Sequence, residues 1–390
     1  MRPGPGLVDR RQFLAASGLA ALAPTLTQAT PDAGAFAPPP FKVVNFSADG
    51  LNLSPQEYAL QLNELVGARG IEADNYTNGG LVAELEQTFA SLLGKEAAIL
   101  LPTGTLANHL AVRKLAGPDR RVLVQAESHL FNDTGDGAAT LSDLTLLPLG
   151  LGKATVTLDE VKSWVERTAG GRVEARVGVI SLESPVRRRD HEFVDFAELE
   201  RISRYAREQG LRLHLDGARL FALPLHTGKS VREHAALFDT VYVSLWKHFN
   251  GAAGAVLAGT NDFIKGLLHT RRMFGGSLPQ AWPSVALVTR YVNGFGDDYA
   301  KAWKAADQVL ALLGADARFK VEKIGKGTSR FLMTLRGVTP EVFAKRTEAH
   351  DVVLPHPKPG TTTFPMQVNA SLLRMEPRQI AQVLKDAATP

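Results

Sequence analysis

Leu211-Arg212-Leu213-His214-Leu215-Asp216-Gly217-Ala218-Arg219 is the stretch on which the fold turns. Its apolar positions make a short strand, and that strand ends on an acid followed by a small-residue turn. A carboxylate in such a place costs desolvation unless a cation or a helix start meets it. Working outward, other β-rich runs lie at 97–101, 122–124, 144–149, 177–182, 240–245 and 255–257. Helical patterns stand between them, notably at 82–93, 158–168 and 196–209. Repetition of strand, helix and strand predicts an α/β fold, with a mostly parallel seven-stranded sheet covered by helices on both faces. Such sheets hold ligands outside the carboxyl ends of their strands.

After Asp298 the texture changes. A long helical pattern at 299–313, a strand at 330–335, a helix at 340–349 and a final helix at 377–387 predict a smaller α+β C-terminal domain. The expected organisation is a leader over 1–29, a Pro/Ala-rich tether and N-terminal arm over 30–60, a large domain over 61–297 and the small domain over 298–390. In the leader, Arg10-Arg11-Gln12-Phe13-Leu14 precedes an apolar run from Ala15 to about Ala23, and Thr27-Gln28-Ala29 offers a small-x-small exit. The pattern looks like a twin-arginine export signal, which predicts a periplasmic or secreted protein. The apolar run is shorter than the roughly 20 residues a spanning helix needs. With no cysteine to lipidate, no membrane anchor is expected after processing.

The absence of cysteine also excludes disulfides, thiolate nucleophiles and Cys-bound metal. The formal net charge is +4 among 84 charged side chains, with no basic stripe interleaved with aromatics, so no nucleic-acid partner is expected. No metal site is expected either.

Three features carry chemistry. Pro102-Thr103-Gly104-Thr105 follows an apolar strand and opens a helical pattern, so its N–H groups, hydroxyls and dipole end can receive a phosphate. Capping alone would explain the same residues. Asp216, at a strand end, can hold a pyridinium nitrogen protonated. Lys247, in Ser244-Leu245-Trp246-Lys247, again closes a β-rich run and is walled by Trp246 and Phe249. A desolvated lysine is a competent amine for condensing with an aldehyde and for moving a proton. Phosphate loop, strand-end acid and strand-end lysine, in that order, fit an enzyme of pyridoxal 5'-phosphate.

Gly94-Lys95-Glu96-Ala97-Ala98-Ile99-Leu100-Leu101-Pro102-Thr103-Gly104-Thr105-Leu106-Ala107-Asn108 closely resembles the phosphate-loop segment of the threonine aldolase/β-eliminating lyase family. Leu213–Arg219 resembles that family's pyridinium motif, Leu245-Trp246-Lys247 its lysine segment, and Asp49 with Asp74-Asn75-Tyr76 its N-terminal arm. The resemblance implies fold type I of the pyridoxal-phosphate enzymes, a homodimer or homotetramer, and cleavage of an amino-acid substrate. By position, Lys247 would carry the cofactor, and Thr103, Gly104 and Thr105 would hold its phosphate. Asp216 would meet the ring nitrogen, Arg219 the phenolic oxygen and His129 the ring face. Lys247 and His129 are the expected catalytic pair; Asp49, Tyr76 and Arg187 are expected at the substrate.

Departures from the family pattern fall on substrate recognition. Its Leu-Glu-Asn-Thr-His reads Leu182-Glu183-Ser184-Pro185-Val186 here, so the histidine expected at the substrate hydroxyl is missing. A family serine is Ala48, an arginine is Pro279, and the C-terminal arginine expected to grip the substrate carboxylate falls near Val368. Arg187-Arg188-Arg189 could replace that grip or be a solvated charge run. The leading expectation is a lyase acting by retro-aldol cleavage or β-elimination. A racemase, an aminotransferase or a non-catalytic binding protein on the same scaffold stays open.

Overall fold

Strands buried on both faces must sort successive side chains into two cores, and the computed structural model, which describes Phe41–Thr389, shows that sorting. In chain order the strands are β1 (Val44–Asn45), β2 (Ala97–Leu101), β3 (Arg121–Gln125), β4 (Thr145–Leu149), β5 (Val177–Glu183) and β6 (Arg212–Asp216). They continue as β7 (Thr240–Ser244), β8 (Ala255–Gly259), β9 (Phe319–Lys323), β10 (Arg330–Leu335), β11 (Val352–Val353) and β12 (Thr363–Gln367). The large sheet has seven strands in the order β2-β8-β7-β6-β5-β3-β4. All neighbours pair in parallel except β8, which runs against both β7 and β2.

On one face, Leu100, Leu123, Ile180, Leu182, Leu215 and Val243 join the helices Gly80–Leu93 and Phe196–Glu208 in the main core. On the other, Ile99, Leu101, Val122, Val124 and Val179 pack beneath the helix Gly104–Ala116. A second sheet, β12-β10-β9, is antiparallel throughout and is covered by the helices Phe295–Gly314 and Pro377–Ala387. The α/β expectation therefore holds, with an antiparallel strand inside the parallel sheet and a small α+β ending.

The N-terminal arm is more structured than a tether. β1 pairs in parallel with β11, and Val44 and Phe46 are buried in the core of the small sheet. A helix follows over Pro55–Arg69, started by a capping box between Ser54 and Glu57. Among the described residues no helix is long and apolar enough to cross a membrane. The expected export signal and the tether to Pro40 lie outside the described residues.

Candidate active site

Parallel pairing brings the ends of β5, β6 and β7 into one row. Glu183 stands beside Asp216, and Asp216 beside Tyr242. Lys247 follows the end of β7, Thr103 caps the helix after β2, and His129 opens the short helix after β3. Residues more than a hundred positions apart thus converge at one edge of the sheet, as the strand-end pattern predicts.

Lys247 is partly buried, with its Nζ 5.5 Å from the centroid of the Trp246 ring. Burial, helped by the Arg219 guanidinium and opposed by Asp49, Asp216 and Glu183, lowers its amine to about 8. A minor but substantial neutral, nucleophilic fraction is therefore present near neutral pH. Asp216 is buried and doubly held: its Oδ2 accepts from Asn108 Nδ2 at 2.5 Å and its Oδ1 from the Ala218 amide at 3.1 Å. Asn108 is itself fixed by His214, whose Nε2 lies 2.9 Å from Asn108 Oδ1 and whose Nδ1 lies 2.8 Å from Thr240 Oγ1. Burial pushes His214 down to about 4, so the ring is neutral at working pH. Its single proton then sits on Nε2 facing the amide oxygen, and Thr240 donates to Nδ1. A directed chain from Thr240 through His214 and Asn108 ends on the Asp216 carboxylate.

Glu183 is a second buried carboxyl beside the first. Its Oε2 accepts from the His129 amide at 2.7 Å and its Oε1 from the Arg187 amide at 2.8 Å. Burial first, then the neighbouring Asp216 charge, pushes it up to about 7. His129 is lowered by burial, and its Nδ1 is enclosed with no hydrogen-bond partner among the described residues.

Arg219 and Asp49 form a buried bidentate pair, with Nε and Nη2 each 2.7 Å from a carboxylate oxygen. The pairing holds Asp49 far below the usual carboxylate range against the cost of burial. Asp49 Oδ1 also accepts from Gln367 Nε2 at 3.2 Å. The arm reaches this far because Gly50 has no side chain: a Cβ there would overlap the Lys247 carbonyl and Asn250 Oδ1. At Gly104 a Cβ would overlap the Tyr242 hydroxyl, so the helix start is open to the site only as glycine. Thr103 and Thr105 are exposed beside it. Tyr76 is half exposed, with the Arg272 guanidinium 5.3 Å from its ring centroid. Arg187 and Arg188 both bind Asp133, and Arg189 faces Glu192.

Asn108, His214 and Glu183 enter the site without having been assigned there from sequence, although each lies in a motif quoted above. Their one signal is a polar residue in an apolar, regularly spaced run. His191, fully buried with Nε2 unpartnered among the described residues, and Arg330 on β10 carry no such signal.

Comparison with known proteins points the same way. The family model described as "Beta-eliminating lyase" matches residues 66–325. A low specificity L-threonine aldolase of Saccharomyces cerevisiae is 32% identical over 200 residues, 50% of this chain and 51% of that enzyme. The chain spans about half the length of the first curated relatives it matches. A Listeria monocytogenes protein assigned provisionally as an L-allo-threonine aldolase superposes with a TM-score of 0.72 and 26% identity, covering 89% of this chain and 96% of that one. A serine palmitoyltransferase variant from S. paucimobilis, solved with PLP and myriocin bound, shares the fold at a TM-score of 0.64 and 15% identity, over 88% and 87% of the two chains. By sequence and by architecture, the chain belongs to the threonine aldolase/β-eliminating lyase family of fold type I.

Proposed function

We propose that this protein is a pyridoxal-phosphate-dependent lyase that cleaves an amino-acid substrate, by retro-aldol cleavage of a β-hydroxy-α-amino acid or by β-elimination. The observation that carries the reading is the convergence of Lys247, its amine lowered to about 8, with a buried Asp216 held by Asn108. The site fits the cofactor on further counts. An enclosed His129 nitrogen lacks a partner among the described residues, and a glycine-opened helix start carries two exposed threonines.

When bound, the cofactor supplies an electron sink for the charge left on Cα. Lys247 would attach it and move the proton at Cα. Asp216 would keep the ring nitrogen protonated, with the chain from Thr240 fixing the carboxylate's direction. Thr103, Gly104 and Thr105 would receive the phosphate, aided by the positive end of the helix Gly104–Ala116. His129 would lie against the ring. Choice of the bond broken then rests on how the substrate is oriented.

Incubation with L-threonine, L-allo-threonine and β-hydroxy aromatic amino acids tests the lyase. Glycine and the matching aldehyde are expected from at least one of them, and their absence from all overturns the aldolase form. A racemase or an aminotransferase would instead yield the enantiomer or a keto acid. Loss of the visible cofactor band in Lys247→Ala tests the anchor, and a binding protein would give a band that amino acids do not shift. We also propose export by the twin-arginine route and assembly as a homodimer or homotetramer, supported by the Arg10-Arg11 signal and by family membership. Fractionation of cells and light scattering of the purified protein test these two statements.

A further inference from the structure

The sequence lacks the C-terminal arginine expected to grip a substrate carboxylate, and the triple-arginine run does not supply one. Arg187 and Arg188 are spent on Asp133, and Arg189 on Glu192. Arg219 is closed in its bidentate pair with Asp49. Among the described residues, Arg330 is a guanidinium near the site whose ion pair is looser than any of these. Arg330 lies on β10 directly opposite Gln367 on β12, one residue from the position where the family's arginine would fall.

Its side chain is only 22% exposed, yet among the described residues its one side-chain hydrogen bond is from Nε to Gln367 Oε1 at 3.0 Å. Gln367 in turn donates to Asp49, so Arg330 is two hydrogen bonds from the Arg219–Asp49 pair. The nearest carboxylate to its Nη1 is Asp190, whose Oδ1 lies 3.7 Å away while its Oδ2 is bound by Lys358 at 2.6 Å. The fork of Nη1 and Nη2 therefore has no charged partner at hydrogen-bond distance among the described residues. It borders the site: the buried His191 feels the charges of Arg219, Arg330, Asp49 and Lys247 together. A largely desolvated guanidinium whose Nη groups make no hydrogen bond among the described residues, and whose Nη1 has only a loose ion pair with Asp190, is a receptor for a carboxylate.

We propose that Arg330 binds the α-carboxylate of the amino-acid substrate, a clamp transferred from the edge of β12 to the neighbouring strand. The statement rests on the proposed function above and adds the residue that orients its substrate. Gln367 is the positioning residue, holding Nε at 3.0 Å and leaving the Nη edge without a hydrogen bond among the described residues.

The test uses the cofactor-loaded protein and reads the visible band, not turnover. Glycine and glycinamide are titrated separately, since the amide keeps the amine but removes the negative charge. In the unmodified protein glycine is expected to bind more tightly. In Arg330→Ala the apparent Kd for glycine rises roughly tenfold to a hundredfold, glycinamide is unaffected, and the preference disappears. Arg330→Lys keeps the charge but not the fork, so it should restore part of the preference. Equal melting temperatures of the variants exclude a folding defect. An unchanged preference in a folded, band-forming Arg330→Ala overturns the proposal and leaves the proposed function intact. If the unmodified protein forms no band, or its band ignores glycine, the proposed function itself fails.

Discussion

At the scale of single residues, the site works by making water scarce around groups that want it. Lys247 shows the consequence most directly. Burial lowers its amine from the ordinary 10.5 to about 8, so roughly a tenth is neutral at pH 7, against a few parts in ten thousand for a solvated lysine. The sign follows: the reactive fraction falls as pH drops through 8. The rate of cofactor capture by the apo-protein, followed by absorbance, should therefore rise with pH and level off above about 8. A midpoint near 10 would mean that the amine is solvated. Asn108 offers a second check. Its amide is a side-chain donor to Asp216, and a hydrogen bond to a buried charge is worth about 1.5–3 kcal/mol. Asn108→Ala should weaken cofactor affinity at least tenfold by absorbance titration, and adding His214→Ala should cost little more, because His214 acts only through Asn108. The strand-end acid and lysine were legible because each closes an apolar run. Asn108 and Glu183 were not legible as site residues, since what commits them is a long-range contact with Asp216, from a helix for Asn108 and from the neighbouring strand for Glu183, that no local pattern records.

At the scale of elements, the strands of the large sheet could be read because burial on both faces makes each a continuous apolar run. The reversed direction of β8 left no trace in its composition. The helix Pro55–Arg69 was unread for a different reason: of its side chains only Glu57 is buried, so it shows little apolar periodicity. Leu62 and Leu65 pack against the main core only in part, and a buried polar contact adds to what fixes it. Glu57 accepts from the Ser54 amide at 2.8 Å and, through its other oxygen, from Arg374 Nη2 at 2.8 Å. That pair is nearly buried, with side chains 14% and 7% exposed, and ties the arm to the C-terminal part of the chain. Breaking one partner of a buried pair is costly, so Glu57→Ala should destabilise by about 3 kcal/mol in urea unfolding. The double variant with Arg374→Ala should lose less than the sum of the two single changes. Additive losses would show that the pair is not coupled.

At the scale of the whole molecule, the arm reaches the site by bonding at one end to the small sheet and at the other to the loop that carries Lys247. Asn369 Nδ2 donates to the carbonyls of Asn45 and Ala48, both at 2.7 Å, and the Gln367 amide donates to the Phe46 carbonyl at 2.8 Å. Those bonds fix the arm to the small sheet, and Leu51 then donates to Asn250 Oδ1 at 2.8 Å in the lysine loop. Between the two anchors, Asp49 is delivered to Arg219. The arrangement couples the small sheet to the chemistry through one carboxylate. Asp49→Ala would leave a fully buried guanidinium unpaired beside Lys247, Arg330 and His191, an expected loss of about 3–5 kcal/mol. Removing the anion also removes a charge that raises the Lys247 amine. The variant should therefore shift the pH midpoint of cofactor capture below that of the unmodified protein, while global unfolding moves to lower urea. Asp49→Asn keeps the shape and one acceptor, so it should recover part of the stability but not the midpoint. A midpoint unmoved in both variants would show that the arm braces the fold without setting the reactivity of the lysine.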